Sequence, residues 1–443
     1  TNYLSEQLNC PRYSGASSLV KAIEKSENWE IGEDTECDKK TAGIIKERLL
    51  GQVFAVAAQI VEEEICSIED VDRGAKVGLR WAEGPFEIAN KIGIEQTIKM
   101  ATSYAELAGF QLPKWLREKN EIFEFNYIDI EINDKIAKIK INRPEAMNAL
   151  NESVVKQLGS ALDNLNSRDD IDTIVLEGAG KAFVAGADVK FFVDKINEDS
   201  TKDIYDFTAY GHDVLNKLEK SKKTTIALTT GLALGGGLEL AMSCDYRVGT
   251  RRSQFRFPET SIGIFPGLGG TQRTPRICGI EAARYAVLAG NFLDSKTASA
   301  LGILTHLVDP SDISKTIMEI SLEGKPVNKY PGAPRNDNHP VSLFAMNFYK
   351  DENMEVIMSG KTPKGFEKDD KTVIRQMKLL SFTAPIALKI ANQLLNDAIT
   401  TGDDLDSGLR LELAELDTIF ASKDALEGLS ALIEGRRPKY IND

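Results

Sequence analysis

Two glutamates stand beside backbone that no side chain shields. In GLALGGGLELAMSCD (231–245) a β-type run ends in Gly235, Gly236 and Gly237 and gives way to the helix-forming LELAMS. A helix therefore begins where no Cβ blocks the approach of a ligand, and its free N–H groups and dipole favour an anion there. Glu239 follows Gly236 by three residues, hence lies on about the same helix face, beside whatever oxygen those N–H groups bind. A carboxylate inside an apolar helix is costly to bury unpaired, and such groups concentrate at functional sites. The second carboxylate, Glu259, follows Pro258 in FRFPETSIGIFPGLGGTQR (255–273) and precedes a glycine-rich loop whose backbone can also approach a ligand. With GKAFVAGADVK (180–190) as a third unusual segment, the set suits an enolate oxygen held by N–H donors next to groups that move protons.

The elements that must hold these residues read as an α/β fold behind a smaller helical region. Residues 41–65 place Ile45, Leu49, Val53, Ala57 and Ile60 on one helical stripe. SIEDVDRG opens with Ser67 three residues before Asp70, in the manner of a capping box, and a Gly84-Pro85 break follows. From residue 122 the period changes: IFEFNYIDIEI and AKIKINR alternate apolar and polar residues around Asn133-Asp134, a hairpin signal. TIVLEG (173–178) and TTIALTTG (224–231) are β-branched runs, each leading through a glycine-rich turn to a helical stretch. This organisation gives a helical domain over 1–118 and an α/β domain over 119–443. Pro326, Pro331, Pro334, Pro340, Pro363 and the string GFEKDDK predict an irregular insertion at about 322–378, after which helices resume.

Composition removes several classes of function. The 443 residues are 42% hydrophobic and 27% charged, as in ordinary folded protein, and 54 Lys+Arg against 67 Asp+Glu give a net charge of −13. That field repels phosphate backbones and anionic lipid, so nucleic acid and membrane are not expected partners, and an anionic ligand needs a local basic cluster. Cys10, Cys37, Cys66, Cys244 and Cys278 are scattered singly, which predicts reduced thiols in a cytoplasmic setting. His212, His306 and His339 show no ligand spacing, so no metal site is expected. No apolar run approaches the ~18–20 residues of a membrane span. The first residue is Thr1, which suggests a processed chain or a fragment. Two motifs are decoys: in GAGKAF, Phe183 replaces the third glycine of a dinucleotide turn, and before Ser359-Gly360-Lys361-Thr362 a phosphate loop's first glycine is replaced by Glu355.

On the residues AGADVK, GGGLE and FPETSIGIFPGLGG, the stretches at about 122–310 and 379–443 resemble the crotonase (enoyl-CoA hydratase/isomerase) superfamily. The resemblance implies a spiral of ββα turns with C-terminal helices and an acyl-thioester carbonyl bound by the N–H groups of Ala187 and Gly236. It also implies that Glu239 and Glu259 add water reversibly across a short-chain 2-enoyl-CoA, crotonyl-CoA to 3-hydroxybutyryl-CoA. Glu259 is assigned the α-carbon proton and Glu239 the water, although the residues themselves leave these roles interchangeable. By the same resemblance Lys181 and Lys190 are CoA-binding candidates. Arg436, Arg437 and Lys439 are further candidates, or a solvated basic tail. Phe191, Phe192 or the 322–378 segment would close the acyl pocket or merely pack. The implied enzyme needs no cofactor beyond its acyl-CoA substrate and assembles as a homo-oligomer, a trimer or dimer of trimers. Two alternatives stand beside it: an enoyl-CoA isomerase, which needs one carboxylate and no added water, and a non-catalytic CoA-ester-binding subunit of a larger complex.

Residues at about 44–94, with an E-D-x-D segment and a G-P-F-E turn, are similar to the C-terminal helical domain of 3-hydroxyacyl-CoA dehydrogenases. The sequence departs from that family in having no nucleotide-binding domain before this stretch and no match to its catalytic His–Glu pair. The reading is then the C-terminal part of a bifunctional hydratase/dehydrogenase whose dehydrogenase half is missing. NAD enters only if a separate dehydrogenase domain is present, and the helical region is a packing or oligomerisation module.

Overall fold

The structure is a computed structural model and describes Lys25 and residues 38–442; Cys10, Trp29 and Cys37 fall outside the described residues. The chain divides into two compact units after Phe123.

In the first unit, a long helix Lys39–Glu62 starts on Asp38, whose carboxylate accepts the N–H groups of Lys40 and Thr41. Its buried face runs through Gly51, Phe54, Ala55, Ala57 and Ala58. Of the expected stripe, Ile45 and Leu49 stay exposed, Val53 and Ile60 are half-buried and Ala57 is buried. Gly51 lets it press on helix Ile94–Ala108, where a Cβ would collide with the Met100 carbonyl. Ser67 caps helix Ile68–Gly78 by accepting the Asp70 N–H at 3.2 Å. The E-D-x-D and G-P-F-E segments meet. Asp72, buried, accepts the N–H groups of Phe86 (2.8 Å) and Glu87 (2.9 Å) at the start of helix Pro85–Ile92. Burial pushes its carboxyl up to about 6. This cross-helix cap explains both segments by packing alone.

The second unit is built from repeated strand pairs split between two sheets. Strands β1 (Ile128–Asn133) and β2 (Ile136–Ile141) form the expected antiparallel hairpin, with Asp134 left-handed at φ 51°. Then β3 (Thr173–Gly178) and β4 (Ala182–Ala185), β5 (Thr224–Thr229) and β6 (Leu232–Leu234), and β7 (Tyr246–Gly249) and β8 (Gln254–Arg256) follow. Both strands of the hairpin and the first strand of each of these three later pairs join a six-stranded sheet of order β1-β2-β3-β5-β7-β10, and the second strand of each later pair joins a four-stranded sheet of order β4-β6-β8-β9. Strands β9 (Leu293–Asp294) and β10 (His306–Leu307) complete them. A helix follows each pair, which is the expected spiral of ββα turns. All six residues of β5 are buried, as a parallel strand covered on both faces must be. A strand rather than a helix follows Gly178–Gly180, so the glycine pair makes no dinucleotide turn.

The segment 322–378 is irregular over 324–339 and 359–370, as expected, but is otherwise ordered into helices. It carries helices Pro340–Phe348, Asp351–Met358 and Lys371–Leu380, and Phe348, Tyr349, Met354 and Ile357 are buried in the main core. Pro340 occupies the first helical position, where its missing N–H is not needed, so it starts a helix. Among the described residues no helix is long and apolar enough to cross a membrane.

Candidate active site

The three glycine-rich segments converge because each connects the two sheets. At the end of β6, Gly235 adopts φ 47°, ψ −122°, a region open only to glycine, and helix Gly236–Ser243 begins at the next residue. Gly237 lies so close to β4 that a Cβ would strike the Val184 carbonyl. This contact brings the helix start against the strand that leads to Ala187. Leu150 forms a single parallel bridge with Ala187, donating to the Gly186 carbonyl and accepting from the Asp188 N–H, both at 2.9 Å. That pattern turns the Ala187 N–H away from Leu150. Among the described residues neither Ala187 N–H nor Gly236 N–H has a hydrogen-bond acceptor. The point where a Gly236 Cβ would sit is 3.8 Å from Ala187 N, so the two donors border one spot.

Both residues line a cavity of about 410 Å³ together with Glu239 and Glu259. The rest of its wall is mostly apolar and includes Met147, Phe265, Leu268 and, from the C-terminal helices, Leu416 and Phe420. Phe192 stacks on Phe420 with centroids 5.4 Å apart, so of the two neighbouring phenylalanines it is Phe192 that lines the cavity. The segment 322–378 contributes no lining residue.

Glu239 is 1% exposed, and its Oε1 accepts the N–H groups of Leu268 and Gly270, each at 2.7 Å. Glu259 opens a short 3₁₀ turn, Glu259–Ile262, and its buried Oε2 has no hydrogen-bond partner among the described residues. Burial is the main force on both carboxyls and pushes both up, Glu259 to about 8. The charges of Glu259 and Glu412 raise Glu239 further, while the two N–H donors oppose this. Two carboxyls in one mostly apolar cavity each disfavour the other's charge, so the pair holds at least one proton at neutral pH.

Lys181 and Lys190 are exposed and do not line the cavity. Arg436 is held by Glu427 (2.6 Å) and by Glu434, and Arg437 lies over the Phe382 ring. Glu412 and His212 were not singled out as site residues by sequence, yet they hold the loop that holds Glu239. Glu412 is 0% exposed and accepts the Gly269 N–H at 2.5 Å. His212 Nε2 lies 2.7 Å from the Gly267 carbonyl. One signal was available: Glu412 lies in L-E-L-A, the same apolar setting that marked Glu239.

Gly235 yields a direct prediction. A Cβ there would fall on Glu259 Oε1 and would hold a strained backbone. Gly235→Ala is expected to lower kcat by about 10²-fold, through displacement of the carboxyl, and stability by about 1–3 kcal/mol. Steady-state kinetics and thermal unfolding check both, and an unchanged kcat would refute the close approach.

Residues 136–442 match the family described as Enoyl-CoA hydratase/isomerase. Residues 43–127 match the 3-hydroxyacyl-CoA dehydrogenase, C-terminal domain. The Short-chain-enoyl-CoA hydratase of Clostridium acetobutylicum is 29% identical over 315 residues, covering 71% of this chain and 97% of that protein. The Crotonyl-CoA hydratase of Syntrophomonas wolfei is 27% identical over 319 residues, covering 72% and 99%. Among solved structures, an enoyl-CoA hydratase from Rhodobacter sphaeroides superposes with a TM-score of 0.62 at 21% identity, covering 72% of this chain and 93% of that one. At that identity the likeness speaks for the fold. The family match spans well over half of the residues, and the chain belongs to the enoyl-CoA hydratase/isomerase family.

Proposed function

We propose that this protein is an enoyl-CoA hydratase that adds water reversibly to short-chain 2-enoyl-CoA thioesters. The observation that carries the reading is one apolar cavity bordered by two acceptor-free N–H groups and two buried carboxyls. The thioester oxygen accepts from Ala187 and Gly236, whose donors are already in place for the charge that develops on it. Water is held by Glu239, whose Oε1 is fixed by two N–H groups. Glu239 takes a proton from this water as its oxygen bonds to the β-carbon. The proton on Glu259 passes to the α-carbon and collapses the enolate; dehydration is the reverse. No cofactor takes part in these steps. A cavity of about 410 Å³ lined by the stacked Phe192 and Phe420 suits a short acyl chain, with crotonyl-CoA as the test substrate. The names of the two hydratases above support the same choice.

Under this reading Lys181 and Lys190 remain the proposed contacts of the CoA phosphates, and a homo-oligomer remains the proposed assembly. Residues 1–118 are proposed as a helical packing module and 119–443 as the domain that carries the chemistry.

The test follows loss of enoyl-thioester ultraviolet absorbance in water labelled with heavy oxygen. The expected result is rapid loss with one solvent oxygen in the product. On the basic side, kcat/KM should fall as pH rises through about 8, because the acid Glu259 then loses its proton. Double-bond migration without solvent oxygen would replace the hydratase by an isomerase, and binding without turnover would replace both by a CoA-ester-binding subunit.

A further inference from the structure

We propose that Glu412 is a positioning residue for proton transfer at Glu239, acting through Gly269 and Thr271; this rests on the hydratase reading above. The loop Gly267–Gly270 leads into helix Gly270–Cys278, and its successive N–H groups alternate between two carboxylates. Leu268 and Gly270 donate to Glu239 Oε1, whereas Gly269, between them, donates to Glu412 Oε1 at 2.5 Å. The Thr271 hydroxyl donates to the other Glu412 oxygen. His212 Nε2 sits 3.2 Å from Glu412 Oε1 and 2.7 Å from the Gly267 carbonyl, tying the start of the loop to the same group. Arg273 Nη1 donates to the Leu268 carbonyl at 3.1 Å.

Gly269 and Gly270 have no side chains with which to anchor this backbone, and Gly269 is left-handed at φ 96°. The two N–H groups that aim Glu239 are therefore placed by what grips the residue between them. Glu412 reaches that residue from helix Leu405–Ala414, far along the chain, and is fully buried. It does not line the cavity and so cannot touch the substrate. A shift of the loop by a fraction of an ångström turns the Glu239 carboxylate with it, and catalysis falls steeply with such misplacement.

The experiment measures kcat and KM for crotonyl-CoA in the full chain and in Glu412→Ala, Glu412→Gln, Thr271→Val and the double variant Glu412→Ala/Glu239→Gln. Glu412→Ala is expected to lower kcat about 10- to 100-fold with KM within about twofold. Glu412→Gln keeps an oxygen for the Gly269 N–H and should recover most of that loss. In the Glu239→Gln background Glu412→Ala should add less than about a twofold further loss, since residues acting as a unit are non-additive. Thr271→Val, which keeps the shape and removes one hydroxyl, should lower kcat several-fold and serves if Glu412→Ala does not fold. Parental kcat in Glu412→Ala or Thr271→Val, or a full multiplicative loss in the double variant, would overturn the positioning role. A parent that binds crotonyl-CoA without turning it over would instead remove the hydratase reading, and this proposal with it.

Discussion

Glu259→Gln is expected to lower kcat for crotonyl-CoA by about 10³-fold, to leave binding of the saturated ester nearly unchanged, and to make the protein more stable at alkaline pH. The loss follows from removing the group proposed above as the acid for the α-carbon, a contribution of about 10²–10⁴-fold for a well-placed group. The gain in stability follows from the environment. In the fold the Glu259 carboxyl is pushed up to about 8 from an ordinary value of 4.5, chiefly by burial. The folded state thus holds its proton over a range where the unfolded chain has released it. Raising the pH through that range favours unfolding, so at pH 8 Glu259 costs the fold on the order of 4 kcal/mol, while near pH 4 it costs almost nothing. The amide removes the cost without changing the volume. Denaturant unfolding at pH 4 and pH 8, beside a calorimetric titration with butyryl-CoA, reads both effects. Equal stability changes at the two pH values would show that the carboxyl is hydrated in solution, and near-parental turnover would remove it from the chemistry.

Glu219→Ala carries the largest expected loss of stability. Its carboxylate accepts Arg273 Nε at 3.0 Å, Lys329 Nζ at 2.9 Å and the Tyr330 hydroxyl at 2.6 Å. Arg273 is fully buried, and the Lys329 side chain is 12% exposed; burial holds the Lys329 ammonium below its usual range. Lys329 also donates to the carbonyl of Ser243, the last residue of the helix that carries Glu239. Removing this carboxylate leaves both cations with neutral acceptors and only more distant negative charge, which costs about 3–5 kcal/mol. Lys329 can shed its proton, whereas Arg273 cannot. Lys220→Ala is the control: its pair with Asp406 is exposed, and such pairs contribute at most about 1 kcal/mol. Urea unfolding of the three proteins decides the matter, and comparable losses in both variants would deny the network its weight.

The contrast between Glu259 and Glu412 shows what was legible in the sequence. Glu239 and Glu259 announce themselves because the glycines and proline that shape their backbone are adjacent in the chain. Glu412 has no such neighbours. Its partners Gly269 and Thr271 are reached only by folding, and an isolated acidic residue in a helix is ordinarily solvated. The helices of 322–378 were hidden for another reason. Prolines predict interruptions there, but Pro340 is the first residue of a helix, and Lys329 and Tyr330 reach Glu219 as single side chains from an irregular stretch. The hairpin at Asn133-Asp134 and the capping of Ser67 on Asp70 were readable because turns and caps are decided within a few residues.

The cavity has walls drawn from Met147, from the helix beginning at Gly236 and from Leu429 and Leu432 near the other end of the unit. These contacts are among the least local in the chain, and contacts of long sequence separation are the slowest to form. During refolding, β1 and β2 and the individual helices can pair early, while the two carboxyls stay hydrated and ordinary until the last helices close over them. Recovery of catalysis is therefore expected to trail recovery of backbone structure, which makes turnover the strictest reporter that a refolded molecule has completed its search.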